Sequence, residues 1–106
     1  MKRLLLASLL LPSAAAFAGD ADYSLVIENH RFQPTEITIP AGKKVRLMIE
    51  NRDATPEEFD SYALNREKVI SGNGHAMIYI GPLDPGRYPF MGEFHSDTAQ
   101  GAVVAK

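Results

Sequence analysis

Between residues 44 and 51 the chain reads Lys44, Val45, Arg46, Leu47, Met48, Ile49, Glu50, Asn51, with a branched apolar side chain at every second position. Successive side chains of an extended chain point to opposite faces, whereas a helix needs apolar residues at spacings of three and four. The alternation therefore predicts a strand with Val45, Leu47 and Ile49 inward. Ile37 and Ile39 alternate in the same way, and Ala41, Gly42 and Lys43 lie between the two runs, so residues 36–51 are expected to form a hairpin with a solvated outer face. Residues 23–28, 57–64, 67–70, 75–80, 87–91 and 102–106 read as further strands, and residues 29–34 as a break. Residues 71–74 are the clearest turn, with Gly72 and Gly74 free to take positive φ. Seven or eight short strands without a helical segment predict an all-β sandwich.

The N-terminus has a different character. Lys2 and Arg3 precede an apolar run, and Ala16, Phe17 and Ala18 supply a small-x-small cleavage pattern. Residues 1–18 thus read as a secretory signal peptide, too short in their apolar run to span a bilayer, and residues 19–106 as one exported domain. The expected location is the periplasm. An exported domain of this size usually relies on disulfides, yet the chain has no Cys, so its core or a bound ion must suffice. Residues 19–106 carry nine basic and thirteen acidic side chains, a net −4. That sign argues against nucleic acid and anionic membranes as partners and is compatible with cations.

Near the C-terminus, alternation places Tyr88, Phe90 and Phe94 on one face of a strand and Met91, Glu93 and His95 on the other. The first set is expected in the core. The second offers a thioether, a carboxylate and an imidazole, and Glu58, Asp60 and Glu67 are further carboxylates that the fold can bring to it. Such a set suits Cu(II), Zn(II), Mn(II) or Fe(III), and Met91 shifts the preference toward copper. The competing account pairs Glu58 and Asp60 with Arg66 and Lys68 across strands. Met48 and Met77 read as core or core-edge fillers, and His30 and His75 as exposed. Ser96, His95 and Asp97 are consecutive, so they point apart and make no hydrolytic triad.

Phe32, Pro34, Ile37, Ile39, Pro40, Ala41, Gly42, Val45, Leu47, Ile49 and Asn51, then Pro82, Leu83, Pro85, Gly86, Tyr88 and Phe90, and finally Gly101, Val103 and Val104, resemble the cupredoxin framework over nearly all of residues 19–106. The resemblance implies a Greek-key β-sandwich. Glu58, Phe59, Asp60 and Ser61, the run from Arg66 to Ile70, and Gly92, Glu93, Phe94, His95, Thr98, Ala99, Gln100 and Gly101 are similar to cupredoxin-like domains of the EfeO type. These occur as small periplasmic proteins or as modules of iron-uptake systems.

The departures bear on the ligand set. Blue-copper members use two His, a Cys and a weak axial Met. Without Cys, no type 1 blue copper site exists here. The resemblance puts Glu57 or Glu58 at the first His, Met91 or Gly92 at the Cys and His95 at the second His, with no counterpart of the axial Met. It implies a metal-binding protein for a copper or iron ion at His95, Glu93, Met91, Glu58, Asp60 and Glu67. The expected role is an accessory or electron-transfer component of ferrous iron uptake, working with an inner-membrane iron permease or other periplasmic uptake components. The alternative is a metal-free docking module that keeps the sandwich as scaffold.

Overall fold

The computed structural model describes residues 21–106. The signal peptide assigned to residues 1–18 lies outside them. Nine strands follow in order: β1 (Tyr23–Glu28), β2 (Arg31–Gln33), β3 (Glu36–Ile39), β4 (Val45–Asn51), β5 (Glu57–Ser61), β6 (Arg66–Ile70), β7 (His75–Ile80), β8 (Gly86–Gly92) and β9 (Gln100–Ala105), with a 3-10 turn at Glu93–His95. They form a sandwich of two mixed sheets, ordered β2-β1-β4-β7 and β3-β9-β8-β5-β6. The parallel pairs are β1 with β4 and β3 with β9.

β2 arises where the sequence reads as a break. Asn29 and His30 both adopt left-handed backbone, φ 56° and 58°, and so reverse the chain in two residues, setting Glu28 opposite Arg31. The carboxylate of Asp53 holds this reversal by accepting the backbone N–H of Asn29 at 2.8 Å and of His30 at 2.9 Å.

The hairpin expected over residues 36–51 is not formed. β3 lies beside β9 in one sheet, and β4 lies between β1 and β7 in the other. Around Gly42, at φ 78°, the chain crosses from sheet to sheet, anchored by Ala41 N–H to the Lys106 carbonyl and Gly42 N–H to that of Leu83. Alternation specifies which face of each strand is apolar. It does not specify which strand lies alongside, and here both faces bury against the common core.

Inward residues of both sheets fill that core: Leu25, Ile27, Leu47 and Ile49 from one, Ile39, Phe59, Ile70, Phe90 and Val103 from the other. Phe32 packs edge-on to Phe59 and Phe90 with centroids 6.1 and 5.0 Å away, a preferred geometry for aromatic quadrupoles. Among the described residues, Asn51 is the one buried side-chain amide. Its Nδ2 donates to the carbonyls of Thr55, Ile70 and Ser71, and its Oδ1 accepts Asp53 N–H. One side chain thus ties the end of β4 to the approach of β5 and the end of β6. In the turn after β6, Asn73 takes the positive φ expected of the glycines. Gly72 serves instead for space, because a Cβ there would collide with the Ala54 carbonyl.

Candidate functional site

β5 separates two sets of carboxylates by its alternation. Glu57, Phe59 and Ser61 face the interior and are buried, while Glu58 and Asp60 face outward and are half-buried. Asp60 lies directly opposite Glu67 on β6 and Met91 on β8. Outward residues that share a register share a face, so these four and Glu93, from the turn that continues β8, gather on the outside of the five-stranded sheet. A hydrogen bond with Asp60, then burial, then the charges of Asp60, Glu58 and Glu67, raise the pKa of Glu93 above its ordinary value.

Arg66 and Lys68, the basic side chains of β6, lie off this face. Arg66 and Lys68 stand opposite Ser61 and Phe59, the inward set of β5. Arg66 donates Nε to the Tyr79 carbonyl and NH1 to that of Asn65. Among the described residues, the ion pairs between Lys or Arg and a carboxylate join Arg46 to Asp22, Arg52 to Glu28 and Glu50, and Arg87 to Glu36. None includes Glu58, Asp60, Glu67 or Glu93, so the cross-strand charge pairing with Arg66 and Lys68 is absent. Also among the described residues, no three His, Asp or Glu side chains converge closely enough to hold an ion in this arrangement.

His95 belongs to a different group. β8 ends at Gly92, and the 3-10 turn that follows breaks the alternation expected through residue 95. Phe94, expected in the core, is 48% exposed. His95 instead folds back, its Nδ1 2.6 Å from Glu57 Oε2. Glu57 Oε1 accepts the backbone N–H of Phe94 at 2.9 Å and of Glu58 at 3.0 Å. Gly92 makes room, since a Cβ there would stand 2.6 Å from the Glu57 carboxyl carbon and 2.7 Å from the Ala99 Cβ. The loop closes through Gly92 N–H to the Ala99 carbonyl and Ala99 N–H to that of His95.

His30, expected to be exposed, is half-buried, with its ring stacked on that of His95. The Thr98 hydroxyl donates to the His30 carbonyl, binding the two turns together. Near both imidazoles, Asp53 experiences burial, which favours its neutral form. The N–H groups of His30 and Asn29 and the imidazoles outweigh it and hold its pKa below the ordinary value. His75 stands on the other sheet opposite Glu50, and Met48 faces Met77 on the same outer surface.

The sequence reading names Glu57 only as an alternative to Glu58 at the first-His position and leaves it out of the ligand set. Its signal was available, since Glu57 shares the two-residue period of buried Phe59 and must therefore face inward. Nothing in the sequence announced the contact with His30, which depends on the left-handed turn before β2.

A family profile described as "Cupredoxin-like domain" matches residues 3–105. An uncharacterised protein of Rickettsia prowazekii (strain Madrid E) is 41% identical over 83 residues, 78% of this chain, and the alignment spans 66% of that relative's length. Among solved structures, auracyanin A, a "blue" copper protein from Chloroflexus aurantiacus, aligns with a TM-score of 0.68 at 17% identity over 78% of this chain and 96% of its own. A purple cupredoxin from Nitrosopumilus maritimus gives 0.62 at 19% identity over 80% and 100%. Sandwich, sheet order and profile together make this chain a member of the cupredoxin-like domain family.

Proposed function

We propose that the protein is a periplasmic metal-binding cupredoxin-like protein, exported by residues 1–18, that serves ferrous iron uptake as an accessory or electron-transfer component beside an inner-membrane iron permease. The observation that carries the reading is the position of Asp60. Asp60 lies in register with Glu67 and Met91, with Glu58 outward on the same strand, Glu93 follows on the turn after β8, and among the described residues no ion pair includes any of these carboxylates. Like charges held together on a sheet face oppose folding unless a counter-ion offsets them. A divalent cation is such a counter-ion.

The blue-copper ligand set does not fit. The chain has no thiolate, and Glu57 already occupies His95 Nδ1. The outer face fits better: Glu58, Asp60, Glu67 and Glu93 supply hard oxygen donors for iron or Cu(II), and the Met91 thioether would favour copper, Cu(I) in particular. The EfeO-type resemblance at Glu58, Asp60, Glu67, Glu93 and His95 supports the link to iron uptake. Bound there, an ion would supply redox chemistry. The chain's own part is to carry Glu58, Asp60, Glu67 and Met91 on neighbouring strands and Glu93 on the turn after β8.

Calorimetric titration of the mature protein with Cu(II), Cu(I) and Fe(II), together with elemental analysis of periplasmic material, tests this. Asp60→Asn and Glu93→Gln should each weaken binding by about tenfold or more. Equal affinity in wild type and both variants would overturn the reading. A metal-free docking module would then be favoured by the exposed rings of Tyr62 and Phe94 and the 620 Å³ groove between Tyr62, Met91 and Arg87.

A further inference from the structure

The outer face of the four-stranded sheet lies on the opposite side of the sandwich from the carboxylates. Val45, Leu47 and Ile49 of β4 and Ile78 and Ile80 of β7 point into the core, so Arg46, Met48 and Glu50 on the one strand and His75, Met77 and Tyr79 on the other point outward. Met48 and Met77, expected as core or core-edge fillers, therefore stand directly opposite each other on the solvent side, each half-buried. His75, exposed, shares their face two residues before Met77 and diagonal to Met48. Apart from Met1 the chain has three methionines, and two of them meet in this one cross-strand pair.

The register brings the three donors within reach of one another. Opposed Cβ atoms of an antiparallel pair stand about 4.5–5.5 Å apart and diagonal neighbours about 7–8 Å, a span that long side chains bridge. Methionine is unbranched and flexible, so both sulfurs can turn toward the imidazole. Packing alone does not call for sulfur here, since Leu or Val would cover the sheet equally well. Basic side chains around the face are already engaged: Arg46 with Asp22 and Arg52 with Glu50, each at 3.3 Å, and Lys44 over the ring of Tyr79, 5.2 Å from its centroid.

We propose that Met48, Met77 and His75 form a binding site for a soft monovalent cation, Cu(I), on the outer face of the four-stranded sheet. Thioether sulfur selects Cu(I) over harder ions, and imidazole is a common copper ligand. The site needs no thiolate and no carboxylate. It is thus independent of the carboxylate face on the other sheet.

Anaerobic titration of the mature protein with Cu(I), in competition with the chelator bicinchoninate, measures the affinity. Met48→Leu and Met77→Leu conserve volume and remove only the donor, and His75→Ala removes an exposed ring. Losing a partner that merely orients a ligand costs about 10–100-fold in metal affinity, so each of these changes should weaken Cu(I) binding at least tenfold. Urea midpoints of both Leu variants should stay close to wild type. NMR with Ag(I), a redox-inert substitute for Cu(I), locates the ion: the methyl signals of Met48 and Met77 and the ring signals of His75 should shift together.

Wild-type Cu(I) affinity in both Leu variants, or Met48 and Met77 methyl signals that ignore Ag(I), would overturn the site and leave the methionine pair as a cover for the sheet. Wild-type affinity in His75→Ala would overturn the three-donor arrangement. Asp60→Asn and Glu93→Gln keep the two readings apart. Cu(I) lost by Met48→Leu while those two variants bind Cu(II) and Fe(II) normally would uphold this site and sink the carboxylate face; the reverse pattern would sink this site alone.

Discussion

The imidazoles of His30 and His95 lie face to face, centroids 3.5 Å apart and planes 8° from parallel. Ligand lone pairs lie in the ring plane, so two parallel rings direct theirs side by side and do not meet at one ion. The stack therefore acts as packing, joining the turn before β2 to the turn after β8. His30→Ala should cost about 0.5–1.5 kcal/mol, the usual contribution of such a ring pair, and His30→Phe should restore most of it. Urea unfolding of the three proteins measures this; equal midpoints would mean that the stack contributes nothing.

Gly92→Ala should destabilise by about 1–3 kcal/mol, the range for overfilling a packed site. The added carbon meets the Ala99 methyl and the Glu57 carboxyl group, both buried, and the carboxyl group is held in place by the N–H groups of Glu58 and Phe94. A denaturant midpoint unchanged from wild type would show that β8 yields at its end.

Phe59 is fully buried between Phe32 and Phe90, so Phe59→Ala should cost about 3–5 kcal/mol. Tyr88 is only half-buried, with its hydroxyl donating to the Asp84 carbonyl at 2.8 Å. Tyr88→Ala should cost clearly less. Thermal unfolding of both variants decides the order.

Asp53 and Glu93 affect stability in opposite directions with pH. The depressed pKa of Asp53 contributes stability that is present above its unfolded value and lost as pH falls through the lower, folded one. The raised pKa of Glu93 contributes stability that is present in acid and lost as pH rises through the folded value. Without metal, Glu93→Gln should therefore melt above wild type at neutral pH, the gap closing below about pH 4. Asp53→Asn should melt below wild type at neutral pH and approach it in acid. Melting curves from pH 3 to 8 check both signs.

Copper-loaded protein should lack the intense blue absorption of thiolate-bound Cu(II), since the chain contains no Cys. Visible spectroscopy on the purified wild type is sufficient, and an intense blue band would refute the ligand chemistry proposed for the outer face.

How far the sequence could be read follows from what alternation encodes. It identified Ile37, Ile39, Val45, Leu47 and Ile49 as the inward residues of β3 and β4, because each strand buries one face only. Lateral partners escaped it, so residues 36–51 looked like a hairpin although β3 and β4 belong to different sheets. Alternation also ran on too far at Phe94, because local sequence gave no sign that Glu57, 37 residues earlier, would capture the chain after Gly92. The outward carboxylates were legible one at a time. Their gathering around Asp60 depends on β5 lying between β6 and β8, a matter of sheet order.

β5 also makes the length of the preceding link a matter of parity. Deleting one residue between Asn51 and Glu57 would turn the strand over and exchange its inner and outer side chains. Phe59 would then enter water, and Asp60 would enter the core. The link has little slack to absorb such a change, because the Asn51 amide holds the Thr55 carbonyl at 2.9 Å. Changes of chain length in this stretch should therefore survive in steps of two residues, so that an odd step loses the fold and the cation face together.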